Sequence, residues 1–376
     1  MMGPGDSGSA CSLWRTDETL ARRRAALIEL LKERDLDGCL LSSDHARGYF
    51  SGFLAESHDT VPAAVLLVGK DRTMLLTSAN NVEWAGGEAP GVEVVPWQRP
   101  WWSTLGDLLN RMGWTTMGFQ GDHLSVAAHA GVIGRLDGDR TFSDLGDLPD
   151  RLWAVKDESE IQTLQRASMI TDRAFMEATA SLAAGTTERE LALRLDRAML
   201  DQGASGPGFP TIVASGPNAA RPHHAPTHRA IRVGEPVIID MGARFDGYTA
   251  DLTRTVWVGE PDQRLASVYA VVAGANAVAQ AATRAGLSGR DLDGLARRFI
   301  ADAGYGDAFI HGLGHGVGLE IHEAPGVGRQ STDTLLAGHA LTIEPGVYLP
   351  NWGGVRIEDM AIVTDDGFRR LSEAPK

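Results

Sequence analysis

The hydrophobic and polar positions separate the chain into two stretches with different patterns. In residues 14–150, apolar residues recur on one face of a helix predicted from Asp17 to about Arg34. Further helices are predicted at TLGDLLNRMG and HLSVAAHAGVIGRL, and strands at GCLLSS, VPAAVLLVG, TMLLTS and VEVVPW. Short strands alternating with amphipathic helices predict an N-terminal α/β domain.

In residues 151–376, the same order of elements occurs twice, with two helices followed by two strands. The first copy has helices near 157–181 and 187–202 and the strands PVIIDMGA and YTADLTRTVWV. The second copy has helices near 262–283 and 289–303 and the strands HALTIEPGVYLP and VRIEDMAIV. This order predicts an internal pseudo-repeat. Residues 1–13, rich in Gly and Ser, are predicted to form a flexible terminus.

Composition and charge narrow the classes of partner. The chain has 35 Lys and Arg against 49 Asp and Glu, a net charge of −14, which disfavours nucleic acid and anionic membranes as partners. Its two cysteines, Cys11 and Cys39, are too few for a disulfide framework or a four-thiolate zinc site. The first residues do not resemble a secretory signal, and apolar runs are too short to span a bilayer, so we expect a cytoplasmic protein.

The strands of the first copy carry two carboxylates. A hairpin closed over Arg244–Gly247 would pair residue 243 with 248 and set Asp240 directly opposite Asp251. Like charges facing each other destabilise a sheet unless a cation lies between them, so this pairing favours a divalent metal. The alternative for either residue alone is a capping or turn aspartate at a strand end.

The second copy carries carboxylates within its own apolar runs. Glu344 lies inside ALTIEPGVYL and Glu358 inside VRIEDMAIV. For Glu358 the alternative is an ion pair with Arg356, which strand alternation places on the same face. Buried carboxylates are rare without a partner, so both residues are candidate ligands.

Six of the eleven histidines lie in two short clusters, at positions 223, 224, 228, 311, 315 and 322. The four glycines of HGLGHGVGLEIHE exclude a helical zincin motif and allow a close backbone approach to a ligand. Imidazole with carboxylates is a ligand set suited to Mn, Co, Zn or Fe.

Four motifs together resemble the pita-bread metallopeptidases, the family of methionine aminopeptidase, Xaa-Pro aminopeptidase and prolidase. They are IIDMGARFDGYTADLTRT, HGLGHGVGLEIHE, TIEPGVYLP and GGVRIEDMAIV, and the likeness extends over about residues 155–376. The resemblance implies a two-domain α/β protein, with a creatinase-like N-terminal domain over 14–150 and a pseudo-two-fold α+β catalytic domain over 151–376.

The resemblance also implies a dinuclear metal site. Asp251 and Glu358 would bridge both ions, Asp240 would chelate one ion, and His315 and Glu344 would hold the other. Two divalent ions would be bound, with Mn²⁺ expected first and Co²⁺ or Zn²⁺ as alternatives. Glu344 would also act as the general base.

Five further residues match family positions near the substrate. His223, His311 and His322 would donate hydrogen bonds to the scissile carbonyl and the developing oxyanion. Tyr348 would supply a hydroxyl donor, and Arg356 an orienting cation.

The long N-terminal domain and the motif APTHRAIRVGEPVIIDMGA resemble the Xaa-Pro aminopeptidase and prolidase branch. This implies hydrolysis of the bond between an N-terminal residue and a following proline, with the aminopeptidase slightly favoured over the dipeptidase, and a homodimer. Two alternatives are another small-amide hydrolase, such as an ectoine-hydrolase-like enzyme, and a non-catalytic binding relative. Trp101 and Trp102 would line a substrate lid or pack at a dimer contact.

Overall fold

The structure is a computed structural model that describes residues 12–57 and 61–376. It divides into two compact units between Trp153 and Ala154. The predicted flexible terminus lies outside the described residues, apart from Ser12 and Leu13.

The first unit contains one six-stranded sheet with helices. The helices are α1 (Asp17–Glu33), α2 (Asp44–Ser51), α3 (Val82–Glu88), α4 (Trp101–Met112) and α5 (Val126–Ile133). The strands are β1 (Gly38–Leu41), β2 (Ala64–Gly69), β3 (Thr73–Thr77), β4 (Glu93–Pro96), β5 (Thr116–Phe119) and β6 (Thr141–Asp144). They lie in the order β4-β3-β2-β1-β5-β6, which confirms the predicted α/β class.

Trp101 and Trp102 lie at the start of α4 and pack in the core of this unit. Trp101 is buried, and its ring meets those of Trp97 and Trp102 at centroid distances of 6.2 and 5.9 Å. Trp102 is partly buried against the same hydrophobic cluster. Packing within the unit accounts for both side chains, and it is neither of the two predicted roles.

Helix α6 (Asp150–Ala154) ends at the division between the units, and the second unit contains four long helices. These are α7 (Glu158–Thr179), α8 (Glu188–Asp201), α9 (Gln263–Ala282) and α10 (Gly289–Asp302). Thr187 and Glu190 form the predicted capping box at the start of α8. By length and composition alone, α9 could cross a membrane. Its buried residues, including Leu265, Val268 and Val272, pack in a hydrophobic cluster of this unit, which accounts for its apolar character.

The strands of the second unit form four sheets. They are β7 (Gly206–Pro207), β8 (Ile212–Ser215), β9 (Val237–Met241), β10 (Ala243–Phe245), β11 (Tyr248–Thr249), β12 (Leu252–Val256), β13 (Gly314–Gly316), β14 (Glu323–Val327), β15 (Ala340–Ile343), β16 (Gly346–Leu349), β17 (Gly353–Arg356), β18 (Asp359–Val363) and β19 (Phe368–Arg370). The sheet orders are β11-β10-β7, β12-β9-β8, β14-β13-β15-β18-β19 and β16-β17.

The predicted pseudo-repeat is confirmed by the arrangement of these strands. The first copy builds the antiparallel order β8-β9-β12, and the second builds β13-β15-β18 within its larger sheet. Each copy has its own hydrophobic cluster, one formed largely by residues 170–256 and the other by residues 265–363. The second unit therefore consists of two similar halves, each built of helices and sheet.

Candidate active site

The predicted pairing of Asp240 with Asp251 is wrong by two residues. Asp240 lies opposite Thr253, because the hairpin closes through Asp246 and Gly247 alone, with Phe245 paired to Tyr248. Both turn residues have positive φ, 47° and 85°, as expected of a two-residue turn. A shift of two residues keeps the same sheet face, so Asp240 and Asp251 remain diagonal neighbours on that face.

The other carboxylates lie at breaks between strands rather than inside strands as predicted. Glu344 follows β15, and Glu358 lies between β17 and β18. Asp251 likewise lies between β11 and β12. The side chains of all three residues nevertheless reach one cavity.

These residues line one cavity of about 300 Å³ in the second unit. All the predicted site residues except Tyr348 line the cavity, namely Asp240, Asp251, His223, His311, His315, His322, Glu344, Arg356 and Glu358. Tyr348 contacts two of these residues, His311 and Arg356. His224 is instead buried beside Glu188, 3.1 Å from its carboxylate, so His223 is the member of the pair that reaches the cavity.

Asp251, His315 and Glu358 are placed to hold a metal ion. One ligand atom from each lies within 4.8 Å of the others. His315 Nδ1 donates to the carbonyl of Gly316 at 3.0 Å, which leaves Nε2 facing the carboxylates. This backbone contact is the arrangement that usually orients a metal-binding histidine.

Two buried carboxylate oxygens have no hydrogen-bond partner among the described residues, Asp240 Oδ1 and Glu358 Oε1. An unpaired charged oxygen is costly to bury, so both atoms call for a ligand. Each is the second oxygen of a carboxylate whose first oxygen is bound: Asp240 Oδ2 by Arg356 at 2.6 Å, and Glu358 Oε2 by Thr253 at 2.7 Å. The donor set therefore fits divalent cations.

The electrostatics of the carboxylates differ. Burial, followed by the charges of Glu358 and Asp240, raises the pKa of Asp251 well above its usual value. Burial and the charge of Glu344 raise the pKa of Glu358 to about 8. Burial also acts to raise the pKa of Glu344, but its hydrogen bond with His315 lowers it to about 2. Such crowding of negative charge is relieved by protons or by bound cations.

Arg356 does not pair with Glu358, so that alternative is wrong. Its guanidinium donates to Asp240, to Thr253 Oγ1 at 3.0 Å and to the Tyr348 hydroxyl at 2.8 Å. Because arginine only donates, the Tyr348 hydrogen points to His311 Nε2, 2.9 Å away. His311 Nδ1 in turn donates to the carbonyl of Gly312 at 2.7 Å.

This chain of bonds bears on the role expected of His311. Both of its ring nitrogens are engaged, and burial lowers its pKa, which favours a neutral ring. A donor role toward substrate stays a prediction for His311. His223 and His322 are exposed at the cavity, and the His322 ring lies 4.3 Å from that of His315.

Some residues in the cavity wall or bonded to it were missed from the sequence. Thr253 donates to Glu358 and accepts from Arg356. Its spacing of two from Asp251, on the same strand face, was a signal that could have identified it. Phe209, Ile212 and Ile321 form an apolar part of the lining, for which the sequence offered no signal beyond hydrophobicity.

Two protein-family models match this chain. Residues 162–365 match the model for metallopeptidase family M24, and residues 23–155 match the creatinase/prolidase N-terminal domain. An Xaa-Pro dipeptidase of Lactobacillus delbrueckii subsp. lactis is 33% identical over 92% of this chain and 95% of its own length.

Solved structures agree over nearly the whole chain. The Xaa-Pro dipeptidase from Bacillus anthracis is 36% identical with a TM-score of 0.89, covering 95% of this chain and 98% of its own. The X-Pro aminopeptidase from Thermotoga maritima is 33% identical with a TM-score of 0.87, covering 94% and 98%. The chain belongs to metallopeptidase family M24, within its pita-bread Xaa-Pro peptidase and prolidase branch.

Proposed function

We propose that this metallopeptidase is an Xaa-Pro aminopeptidase, which releases the N-terminal residue from short peptides with proline in the second position. The observation that carries the proposal is the cavity, where four carboxylates and His315 meet an apolar wall. It further supports a dinuclear centre, with Mn²⁺ as the first candidate and Co²⁺ or Zn²⁺ as alternatives. Two such ions would polarise the scissile carbonyl and make a water acidic enough to react near neutral pH.

Each residue of the site has a role in this proposal. Asp240, Asp251, His315, Glu344 and Glu358 would together hold the metal ions. Glu344 lies at the cavity with Oε1 3.3 Å from His315 Nε2, and it would accept the proton of the attacking water. His223 and His322 would donate hydrogen bonds to the substrate carbonyl.

The apolar wall suits a proline ring. This wall is formed by three uncharged side chains that line the cavity, Phe209, Ile212 and Ile321. Because the proline nitrogen carries no proton in a peptide bond, this wall needs no hydrogen-bond acceptor for it. An apolar contact for the ring is therefore enough to distinguish proline from a polar residue.

The choice of aminopeptidase over dipeptidase rests on charge. A dipeptidase needs a cation for the carboxylate of the product proline, but Arg356 is the only Lys or Arg lining the cavity among the described residues. Arg356 is already paired with Asp240, and Arg229 with Glu235 at 2.5 Å. Arg47 is buried in the first unit beside Asp44.

A dipeptidase is the second candidate, because several relatives of similar identity carry that name. Arg221 is the residue that would serve it. Its side chain is exposed, and it lies two positions before His223. Binding of a proline carboxylate there would favour dipeptides over longer peptides.

The test is to load the purified protein with Mn²⁺ or Co²⁺ and assay Ala-Pro, Ala-Pro-Ala and Met-Ala-Ala in parallel. We expect cleavage of Ala-Pro-Ala and none of Met-Ala-Ala. Cleavage of Ala-Pro alone, lost in Arg221→Ala, would convert the assignment to a dipeptidase. No Xaa-Pro cleavage with any metal would overturn the proposal and leave the small-amide hydrolase or the non-catalytic relative.

The homodimer and the cytoplasmic location stay predictions from the sequence. Light scattering checks the first, and a monomeric mass would contradict it. Fractionation of cells checks the second, and recovery with membranes would contradict it.

A further inference from the structure

Glu188, at the start of α8, carries the most heavily bonded carboxylate outside the cavity that the described residues contain. Its side chain is fully buried. Oε1 accepts from Ser215 N, Ser215 Oγ and Asn218 Nδ2 at 2.7–2.9 Å. Oε2 accepts from Thr227 N, Thr227 Oγ1 and His224 Nε2 at 2.6–3.1 Å. All six donors belong to one segment, residues 215–227.

This segment carries His223 into the cavity. Asn218 precedes His223, while His224 and Thr227 follow it, so the bonds to Glu188 bracket the histidine along the chain. The segment has little regular structure of its own, with only a short 3₁₀ turn at Gly216–Ala220. Its path therefore depends on contacts with neighbouring elements.

The opposite side of the segment faces the cavity wall. Arg356 Nη1 donates to the carbonyl of Pro222 at 3.4 Å. Gly353 and Gly354 of β17 lie so close to the carbonyls of Gly216 and Ala219 that added Cβ atoms would come within 2.9 and 2.2 Å. The segment is thus held between β17, which bears Arg356, and the Glu188 carboxylate.

We infer that Glu188 is a positioning residue, which holds His223 at the cavity through the segment 215–227. The inference rests on the proposed function, because His223 is there assigned to the substrate carbonyl. A displacement of about 1 Å in a group that contacts substrate can cost roughly 100-fold in rate, so the position of His223 needs such a fixed support.

The charge state of Glu188 suits this role. Burial acts to raise its pKa, but hydrogen bonds from Thr227, Asn218 and Ser215 lower it to about 2. The carboxylate therefore stays ionised throughout the pH range of an assay. Hydrogen bonds to a charged acceptor are stronger than neutral ones, so the bonds to Glu188 hold the segment 215–227 firmly.

The first experiment compares variants of the full chain loaded with Mn²⁺. Glu188→Gln places amide donors against the donors of the segment, and we expect kcat/KM on an Xaa-Pro peptide to fall on the order of 100-fold. Thr227→Val, which keeps the shape and removes the hydroxyl, should lower it about tenfold. Thr227→Ser restores the hydroxyl and should stay near wild type. Metal content should be unchanged in all three.

A matched control separates position from stability. Asp172 is also a buried carboxylate, bound by the backbone N–H groups of Glu373 and Ala374 at 2.7 and 3.0 Å. Asp172→Asn should lower the melting temperature and leave kcat/KM near wild type. Equal losses of activity in Asp172→Asn and Thr227→Val would overturn the inference.

The second experiment is a double-mutant cycle with His223→Ala. If Glu188 acts through His223, Thr227→Val should change kcat/KM little once His223 is absent. Fully additive losses would show a merely structural role and contradict the inference.

Hydrogen exchange gives a readout that does not need activity. Amides of residues 216–226 should exchange faster in Thr227→Val and at the wild-type rate in Thr227→Ser. Unchanged exchange in Thr227→Val would refute the positioning role. A wild-type protein that cleaves no Xaa-Pro peptide would instead overturn the proposed function. The exchange result would still test whether Glu188 holds the segment 215–227 in place.

Discussion

The two halves of the second unit supply the four carboxylates from equivalent places. Asp240 lies near the end of the middle strand β9, and Glu344 directly follows the middle strand β15. Asp251 and Glu358 directly precede β12 and β18, the strands that pair with β9 and β15. The repeated backbone therefore fixes where the carboxylates lie, because each half presents one at the end of a middle strand and one at the start of a strand paired with it.

The halves differ in what surrounds these carboxylates. His315 lowers the pKa of Glu344 to about 2, whereas burial raises the pKa of Asp240 against the opposing effect of Arg356. The partners also cross between halves, since Arg356 of the second half binds Asp240 of the first, and Thr253 of the first binds Glu358. Side chains that are not repeated thus shift the pKa values of equivalent carboxylates in opposite directions.

Removal of metal should have the largest effect, because it takes away the cations that the carboxylates of both halves would bind. Chelation should abolish activity and lower the melting temperature, since buried carboxylates then repel each other unless they take up protons. Titration of the metal-free protein with Mn²⁺, followed by calorimetry, should show two ions per chain. Full activity in protein shown by elemental analysis to contain no metal would contradict this expectation.

Glu344→Gln and Asp240→Asn test the inequality of the equivalent pair. We expect Glu344→Gln to lower kcat by roughly 10²–10⁴-fold, as for loss of a general base, with no recovery in excess Mn²⁺. Asp240→Asn should mainly weaken metal binding, so excess Mn²⁺ should restore much of its activity. Steady-state kinetics over a range of Mn²⁺ concentrations measures both, and identical behaviour would mean that the two positions are interchangeable.

Thr253→Val removes the hydrogen bond that crosses from the first half to Glu358. Loss of a residue that orients a metal ligand should weaken Mn²⁺ binding by about 10–100-fold. Thr253→Ser keeps the hydroxyl and should bind Mn²⁺ nearly as wild type does. Calorimetric titration of both variants checks this. If Thr253→Val binds Mn²⁺ with the affinity of wild type, Thr253 does not orient a metal ligand.

His339 tests a difference that lies outside the cavity. It is buried directly before β15, and burial, with the charge of Lys156, lowers its pKa to about 4 from 6.5. The unfolded chain then binds more protons between pH 6.5 and 4, so folding stability should fall as pH falls through this window. The slope is at most about 1.4 kcal/mol per pH unit.

The matched variant is His339→Asn, which offers a carbonyl oxygen in place of Nδ1, the acceptor for Leu336 N at 3.1 Å. Denaturant unfolding at several pH values should show a flatter profile than wild type. A profile with the wild-type slope would assign the pH dependence to other groups.

Much of the fold was accessible from the sequence, because helices and strands here follow simple periodicity. The helix predicted at 187–202 is found at Glu188–Asp201, with its capping box. The breaks at Glu344 and Glu358 were missed because an apolar run continues across them. Local hydrophobicity cannot show where a strand leaves one sheet and joins another.

The residues of the site could be predicted from the sequence, but their hydrogen-bond partners could not. The cavity brings together residues that four motifs had identified, although they lie more than 100 positions apart, such as Asp240 and Glu358. The partner of Arg356 and the role of Glu188 were not accessible. An arginine in a strand has several acids within reach, and a glutamate in the first turn of a helix is already explained by the helix dipole.

The two-residue hairpin between Asp240 and Asp251 limits how this protein can change length. One residue inserted into or deleted from the paired strands, between the turn and either carboxylate, would turn that carboxylate to the opposite face of the sheet, whereas a change of two would return it. Length variants of these strand segments that keep activity should therefore differ by even numbers of residues. The Asp246–Gly247 turn itself has no length to lose, because Phe245 and Tyr248 on either side of it are already paired.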